Sequence, residues 1–230
     1  MELNHILFIP DGNRRWAKKR NQNPWEGHKA GAETFKELMD YITKNNVVKN
    51  ISFWAMSKDN FIKRPKKEIN FLIKVINEAF KKFTNDKIIK ERGVNIKFYG
   101  VWEKLFDKKT VANLKQIEKD TKNNTKFNLA ILLAYDGKEE LLEAMNKLKN
   151  KTRIHEADIK NSIWTAKVPD VDLIIRTGVK GDPHLSGNVL LWQTSYSQLY
   201  FSELFWPDFK VDEFKKSIVD YGKRERREGR

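Results

Sequence analysis

Short apolar runs separated by helical patterns restrict the fold of this chain more than any other feature. The runs with strand character are His5–Ile9, Asn50–Met56, Asn95–Tyr99, Phe127–Tyr135 and Leu173–Arg176, with Gln198–Phe201 as a weaker candidate. Several are apolar on successive residues, as strands are when helices cover both faces of a sheet. Without internal repeats or linkers, this alternation predicts one α/β domain over residues 1–230, with a central, mostly parallel six-stranded sheet flanked by helices.

Apolar residues at helical spacing fill the segments between these runs. Such patterns cover Ala32–Ile42, Leu141–Leu148 and Val211–Tyr221. The longest pattern, Ile69–Phe83, follows Pro65, a residue that suits the entrance of a helix. Its stripe of Ile and Phe fits either ordinary core packing or one wall of an apolar tunnel.

The sequence also indicates the cellular compartment in which the protein acts. Its 230 residues include no cysteine, which excludes disulfides, thiolate metal sites and cysteine nucleophiles. Met1–Asn4 leads directly into the first run, without the pattern of a signal peptide. The longest apolar run, Leu129–Tyr135, is far shorter than the ~20 residues that cross a bilayer. We therefore expect a cytoplasmic protein.

The formal net charge of +14 favours anionic partners, such as nucleic acid, an acidic membrane or a phosphorylated substrate. The lysines are spread through the chain, and no recognised nucleic-acid motif is present. We therefore expect no nucleic-acid partner.

The turn after the first run combines groups that suit a phosphate. Asp11, Gly12 and Asn13 end the run, and Arg14, Arg15 and Trp16 follow. The start of a helix presents unpaired N–H groups, and arginines bind phosphate oxygens. Asp11 is the exception, and a divalent cation between its carboxylate and the phosphate would resolve the conflict. The alternative is an Asp N-cap followed by two solvated arginines.

Two further stretches carry polar groups near predicted strand ends. His28 is expected to open a helix, where it is either structural or a donor to a phosphate. Ser57, Asp59 and Asn60 directly follow the second run. They either cap the next helix or place a hydroxyl, a carboxylate and an amide beside Asp11.

Arg176 ends a buried run and enters a glycine-rich segment that contains His184 and Ser186. A charge at the end of a buried strand is costly unless it is paired. Its partner is therefore either a bound anion or a carboxylate such as Asp182. The tail that contains Arg227 has the composition of a solvated chain end.

Taken together, these stretches resemble the motifs of the cis-prenyltransferases, the undecaprenyl diphosphate synthase family. The resemblance runs from Ile6 to Gly229. The matching segments, in order, are Asp11–Trp16, Gly27–Gly31, Met56–Asn60, Tyr135–Glu140, Asp172–Thr177, Leu190–Gln193, Trp206–Phe209 and Arg227–Gly229.

The resemblance implies a homodimeric enzyme with an apolar tunnel. It implies the addition of isopentenyl diphosphate to an allylic diphosphate, such as farnesyl or geranyl diphosphate, with Mg2+ and with cis double bonds in the product. The growing chain would lie along Trp16, Phe71, Ile76 and Phe80, and the product could bring the enzyme into peripheral contact with a membrane.

The resemblance also assigns roles by position. Asp11 would hold Mg2+, and Ser57 and Asn60 would relay the proton that must be removed. The residues expected to bind substrate are Gly12, Asn13, Arg14, Arg15, Trp16, His28, Asp59, Phe61, Arg64, Arg176, His184, Ser186 and Arg227.

Several positions depart from the family pattern. The segment after Arg176 is longer, and His184 replaces an arginine. Gln198 stands at the usual position of the second metal ligand, where the family has a glutamate, and its amide lacks the charge of that ligand. Phe61 replaces a tryptophan, and either Lys63 or Arg64 matches the family arginine.

Three interpretations follow from these departures. The first is a polyprenyl diphosphate synthase with a drifted loop. The second is a relative that uses a different acceptor or makes a short or branched product. The third is a non-catalytic subunit that binds a prenyl diphosphate, although a metal-holding carboxylate at Asp11 argues against it.

Overall fold

A single sheet runs through the computed structural model, which describes residues 2–85, 91–181, 183–185 and 188–224, without the side chains of residues 82–85. The strands are β1 (His5–Ile9), β2 (Asn50–Ser57), β3 (Val94–Tyr99), β4 (Phe127–Tyr135), β5 (Leu173–Arg176) and β6 (Gln198–Phe201). They form a six-stranded sheet in the order β3-β4-β2-β1-β5-β6, and every pairing is parallel. The predicted fold is confirmed, including the weaker last strand.

Helices cover both faces of this sheet. They are α1 (Asn13–Lys19), α2 (Pro24–Lys44), α3 (Lys58–Lys63), α4 (Lys66–Asn85), α5 (Trp102–Leu105), α6 (Lys108–Thr121), α7 (Gly137–Leu148), α8 (Glu156–Ser162) and α9 (Val211–Gly222), with a short 3-10 helix at Trp206–Asp208. In the described part of the chain, no helix is both long and apolar enough to span a membrane.

The order of the strands places the start of the chain at the centre of the sheet. β1 lies between β2 and β5, and Ile9 pairs with Arg176 at the carboxyl ends of β1 and β5. Open α/β sheets bind ligands beyond the carboxyl ends of their strands, where the strand order reverses. The turns after β1, β2 and β5 meet at that edge.

The larger hydrophobic cluster fixes the helices at this edge. Phe8 of β1 contacts Trp206 and Phe214, with ring centroids 5.9 Å apart in both pairs. The indole Nε1 of Trp206 donates a hydrogen bond of 2.8 Å to the carbonyl oxygen of Gly31 in α2. A Cβ at Gly31 would lie 2.8 Å from the Trp206 ring, so this close approach requires glycine. The contact holds α2 against the end of β1.

Helix α7 differs from the sequence pattern in the face that it buries. The apolar residues that mark it include Met145, whose exposed fraction is 55%. Its buried residues are instead Gly137, Glu140 and Ala144. Tertiary contacts therefore select a face that contains a carboxylate, which needs buried hydrogen-bond partners.

Candidate active site

A cavity of about 580 Å³ opens beside the carboxyl ends of β1 and β2, between α2 and α4. Its apolar lining includes Ile9, Phe35, Phe53, Met56, Leu72, Val75, Ile76, Ala79 and Phe80. Its polar lining includes Asp11, Asn13, His28, Ser57, Asn60 and Arg64, together with Lys29, Glu33, Lys36 and Glu78 from the two helices. Of the stripe on α4, Leu72 and Phe80 belong to the core and also line this cavity.

The turn after β1 excludes the role of Asp11 as a helix cap. The N-cap of α1 is Gly12, at φ 98°, and no side chain caps the helix. A Cβ at Gly12 would lie 2.5 Å from the Phe205 ring, so glycine is needed for space as well as for conformation. The carbonyl oxygen of Asp11 accepts a 2.9 Å hydrogen bond from the Thr177 hydroxyl. This bond ties the turn to the end of β5 and leaves the Asp11 carboxylate for other contacts.

Asp11 lines the cavity, and its carboxylate lies between two guanidinium groups of residues outside the lining. Its Oδ1 is 3.2 Å from Nη2 of Arg15, and its Oδ2 is 3.3 Å from Nη2 of Arg176. Arg176 is buried, and its Nη1 also donates a 2.6 Å hydrogen bond to the carbonyl oxygen of His184. Asp11 is therefore a carboxylate partner of the buried arginine among the described residues, and Asp182 lies outside them.

Aromatic packing holds Arg15 at this position. Its guanidinium lies 5.2 Å from the centre of the Phe205 ring, and Nζ of Lys19 lies 5.4 Å from the same ring. Cations over an aromatic face are attracted by its quadrupole. Phe205 was not identified from the sequence, because only the tertiary structure brings it beside α1.

A second group of cations surrounds the start of α4. The Glu68 carboxylate lies 3.2 Å from Nη1 of Arg64, 3.7 Å from Nε of Arg14 and 3.9 Å from Nε2 of His28. Arg64 lines the cavity, whereas Lys63, the other residue that could match the family arginine, pairs with Asp59 at 2.6 Å. The sequence analysis missed Glu68, although its spacing of four residues from Arg64 is a signal for a helical ion pair.

His28 lies one turn inside α2, because the helix begins at Pro24, and so it does not open the helix as expected. Burial, and then the charges of Arg64 and Arg14, lower the pKa of His28 to about 4. The imidazole is therefore neutral at neutral pH.

The turn after β2 brings two of its polar residues to the cavity. Ser57 and Asn60 both line it. Ser57 also caps α3, since its Oγ accepts a 3.0 Å hydrogen bond from the backbone N–H of Asn60. Asp59 is exposed, and Phe61 packs against Phe106 with ring centroids 5.7 Å apart. Neither belongs to the cavity lining.

Two of the aromatic residues expected along the tunnel lie elsewhere. Trp16 donates a 2.7 Å hydrogen bond from Nε1 to Asp208, and the guanidinium of Arg20 lies 4.1 Å from its ring centre. Phe71 packs against Trp25, with ring centroids 5.7 Å apart. Neither lines the cavity, whereas Ile76 and Phe80 do.

The structure does not bring Gln198 to Asp11 within one chain. Gln198 begins β6 and pairs with Leu173 at the amino end of β5, whereas Asp11 follows the carboxyl end of β1. Its Oε1 lies 3.4 Å from Nη1 of Arg224, which donates to it. Among the described residues, no three acidic or histidine side chains are grouped to hold a metal. Ser186 and Arg227 lie outside the described residues.

Other motif residues form a buried hydrogen-bond network around Glu140. The buried Glu140 accepts hydrogen bonds from the Tyr135 hydroxyl and from the backbone and hydroxyl of Thr165, at 2.8 Å and 2.7 Å for the latter two. Gln193 donates a 2.8 Å hydrogen bond to the Thr165 hydroxyl. Burial and the Glu140 charge raise the pKa of Tyr135. This network joins β4, α7 and the segment before β6.

The family profile of the prenyltransferases, described as undecaprenyl diphosphate synthase, matches residues 9–229. The chain belongs to this family. It is 37% identical over 233 residues to an isoprenyl transferase of Rickettsia typhi, covering 99% of this chain and 98% of the relative. It is 34% identical over 234 residues to a geranylgeranyl-diphosphate-specific tritrans,polycis-undecaprenyl-diphosphate synthase of Pyrococcus horikoshii, covering 98% and 86%.

Two solved cis-prenyltransferase-like structures share the fold over the whole chain. Lavandulyl diphosphate synthase from Lavandula x intermedia, solved with dimethylallyl diphosphate, superposes with a TM-score of 0.88 at 25% identity, covering 99% of this chain and 98% of that one. A probable undecaprenyl diphosphate synthase from Campylobacter jejuni superposes with a TM-score of 0.79 at 27% identity, covering 100% of both chains. The predicted family and enzyme class, a cis-prenyltransferase, are confirmed.

Proposed function

We propose that this enzyme condenses an allylic diphosphate, such as farnesyl or geranyl diphosphate, with isopentenyl diphosphate to form a cis-polyprenyl diphosphate. The observation that supports this most strongly is a largely apolar cavity with Asp11 and two sets of cationic groups beside its polar wall. The cationic groups suit a diphosphate. The apolar wall suits a hydrocarbon tail, which would lie in a tunnel between α2 and α4.

In this proposal, the allylic diphosphate binds at the turn after β1. Arg14, Arg15 and Arg64 supply positive charge, and the neutral His28 supplies a ring N–H. The backbone of Gly12 and Asn13 adds donors at the start of α1. The Oδ1 of Asn13 and the Nε2 of His28 are buried and have no hydrogen-bond partner among the described residues. Such orphaned groups fit a site whose partner is a ligand.

Asp11 fits the metal that the family uses. Its carboxylate is 44% exposed and faces the cavity between Arg15 and Arg176. Mg2+ commonly binds one or two carboxylates together with substrate phosphates. When bound, the ion would neutralise charge on the diphosphate as it leaves. Gln198 is not proposed as a second ligand within the same chain.

The chemistry breaks the allylic C–O bond, and the electron pair of that bond leaves with the diphosphate. The alkene of isopentenyl diphosphate attacks the resulting electrophilic carbon, and a proton is then lost from the adjacent carbon. Ser57 and Asn60 line the cavity where that proton would be transferred. An amide is a poor base, so the two residues would orient the proton while an oxygen of the departing diphosphate accepts it.

Isopentenyl diphosphate would bind on the β5 side, where Arg176 ends the strand. His184 is tied to Arg176 through its carbonyl oxygen, and Nε2 of its ring lies 3.3 Å from the guanidinium. The expected contributions of Ser186 and Arg227 stay predictions. Trp16, Asp59 and Phe61 are left out of the proposed substrate contacts, because they already contact Asp208, Lys63 and Phe106 respectively.

We further propose that the chain, a single domain, acts as a cytoplasmic homodimer with peripheral membrane contact through its product. Apolar side chains on α7 and before β6 are exposed: Leu142 by 60%, Met145 by 55%, Leu191 by 37% and Tyr196 by 79%. Light scattering should give twice the monomer mass, and Met145→Asp should lower it if this face is the interface.

The test of the reaction is product analysis. Purified protein is incubated with labelled isopentenyl diphosphate, farnesyl diphosphate and Mg2+, and the products are identified by mass. A ladder or a single elongated product is expected. Consumption of neither substrate, with any allylic starter, would exclude this function.

A second candidate is transfer of the prenyl group to another acceptor, or formation of a short or branched product. The superposition on lavandulyl diphosphate synthase at a TM-score of 0.88 and the altered segment around His184 favour it. It predicts that the prenyl group is found on another acceptor, or in a product that does not grow beyond one added five-carbon unit, which the same mass analysis would detect.

A further inference from the structure

Glu68 brings a negative charge into the proposed binding site of an anion. It lies in the first turn of α4, and its carboxylate is within 4 Å of Arg14, His28 and Arg64. The side chains of Glu68 and Arg64 are only 13% and 20% exposed, so solvent screens this pair weakly, whereas the Arg14 side chain is 56% exposed. A diphosphate bound to the same three groups would meet this carboxylate directly.

The contacts of Glu68 are close enough to pair charges but do not satisfy the donors. Its Oε1 is buried and accepts no hydrogen bond from any described residue. The Nε2 of His28, 3.9 Å away, is also buried without such a bond. One carboxylate has two oxygens for three donor groups, whereas a diphosphate carries several oxygens. The three donor groups can therefore make more hydrogen bonds to a diphosphate than to Glu68.

We propose that Glu68 is an internal substitute for the diphosphate of the substrate, one that holds Arg14, His28 and Arg64 together in the free enzyme and yields them when the substrate binds. This inference rests on the proposed diphosphate site. Glu68 is a positioning residue in this account, since it acts on the substrate through the three cationic or donor groups.

If the diphosphate replaces Glu68 as the partner of these three groups, Glu68 should affect the affinity of the enzyme for diphosphates. Glu68 competes with the diphosphate for the same groups, so it weakens binding and favours release of the pyrophosphate that each condensation produces. Removing its charge should leave the three groups without an anion and increase their attraction for a diphosphate. A purely structural role predicts the reverse, because loss of the contact would let the groups separate.

The test is binding of inorganic pyrophosphate, and of farnesyl diphosphate without isopentenyl diphosphate, by calorimetry. We expect Glu68→Gln to bind both more tightly, by roughly tenfold, and to lower KM for farnesyl diphosphate more than it changes kcat. Glu68→Asp keeps the charge and should bind like the wild type. Glu143→Gln removes another carboxylate spaced four residues from its cation on a helix, with Lys147 at 3.2 Å, and should change neither affinity.

The outcomes separate this inference from the proposed function. If the wild type elongates a prenyl diphosphate but Glu68→Gln binds pyrophosphate equally or more weakly while remaining folded by circular dichroism, Glu68 is not a substitute anion. If the wild type binds neither pyrophosphate nor farnesyl diphosphate, the diphosphate site itself is wrong. If Glu68→Gln does not fold, Glu68→Asp decides, because a competing anion predicts unchanged affinity and a structural contact predicts weaker binding.

Discussion

Asp11 has one structural role through its backbone and another through its side chain. Its backbone secures the turn after β1 through Thr177, and its carboxylate, which lines the cavity, pairs with Arg15 and Arg176. A carboxylate that serves only as a partner for the buried Arg176 would be replaceable by an amide with a loss of stability but little loss of turnover. A carboxylate that also holds Mg2+ against a diphosphate would not be, because an amide carries no charge to bind the ion.

We predict that Asp11→Ala and Asp11→Asn lower turnover by at least about a thousandfold while the protein stays folded. The measurement is steady-state condensation, with thermal unfolding as the check on stability. Asp120→Asn, an exposed change on α6, should leave activity unchanged. Full activity in Asp11→Asn would remove the proposed role of the carboxylate.

His28 should make stability depend on pH. Its pKa is about 4 in the folded protein and 6.5 in the reference state. The unfolded chain therefore takes up the proton first, so the stabilising difference is complete above pH 6.5 and is lost as the pH falls toward 4. The slope for one such group is at most ~1.4 kcal/mol per pH unit.

We predict that the free energy of unfolding falls less between pH 6.5 and 4 in His28→Gln than in the wild type. Urea titrations at several pH values measure this difference. His5 is also buried with a lowered pKa, but it is present in both proteins and cancels in the comparison. Equal pH profiles in the two proteins would mean that His28 is not buried in its neutral form.

At the scale of elements, α7 is fixed by a polar rather than an apolar contact. Glu140 of α7 gathers donors from β4 and from the segment after α8, and Gln193 extends the network toward β6. Buried donors that lose their acceptor cost free energy, since no water replaces the lost bond. The network therefore determines where the helix sits on the sheet.

We predict that Glu140→Ala lowers the free energy of unfolding by about 3 kcal/mol or more, because it leaves the Thr165 and Tyr135 donors unsatisfied. Glu143→Ala, on the same helix but more exposed, should cost less than about 1 kcal/mol. Both are measured by urea denaturation. Similar losses in the two variants would indicate that the buried network adds little to stability.

At the scale of the whole molecule, the sheet and two helices enclose the cavity between them. β2 supplies Phe53 and Met56, α2 supplies Phe35, and α4 supplies Leu72 and Ile76. A product tail in this space would end where the walls leave no room for another unit. The chain length of the product is then a property of the packing between elements rather than of the diphosphate site.

We predict that Ile76→Trp, which adds volume inside the cavity, shortens the product or lowers the yield of the longest species. Ile62→Trp makes the same change on α3 at a side chain that is 62% exposed and outside the lining, and it should not alter the product. Mass analysis of the products checks both. An unchanged product from a folded Ile76→Trp would place the tail elsewhere.

The sequence by itself determined the strands and the helices α2, α4, α7 and α9, whereas α5, α6 and α8 were not predicted. The strands needed only local runs of apolar residues, and His5–Ile9, Phe127–Tyr135 and Leu173–Arg176 have the predicted bounds. Motif residues such as Asp11, Asn13, His28, Ser57, Asn60 and Arg64 could likewise be identified before the structure, and all of them line the cavity.

Only the tertiary structure decided which of these residues meet. Asp11 and Arg176 are 165 positions apart, and nothing local in the chain specifies their pairing. The same holds for Trp16, which donates a hydrogen bond to Asp208 and does not line the cavity. It also holds for Glu68, whose three partners lie in or next to three different helices. Local propensity depends on neighbours along the chain, whereas a binding site depends on which segments the packed sheet brings together in space.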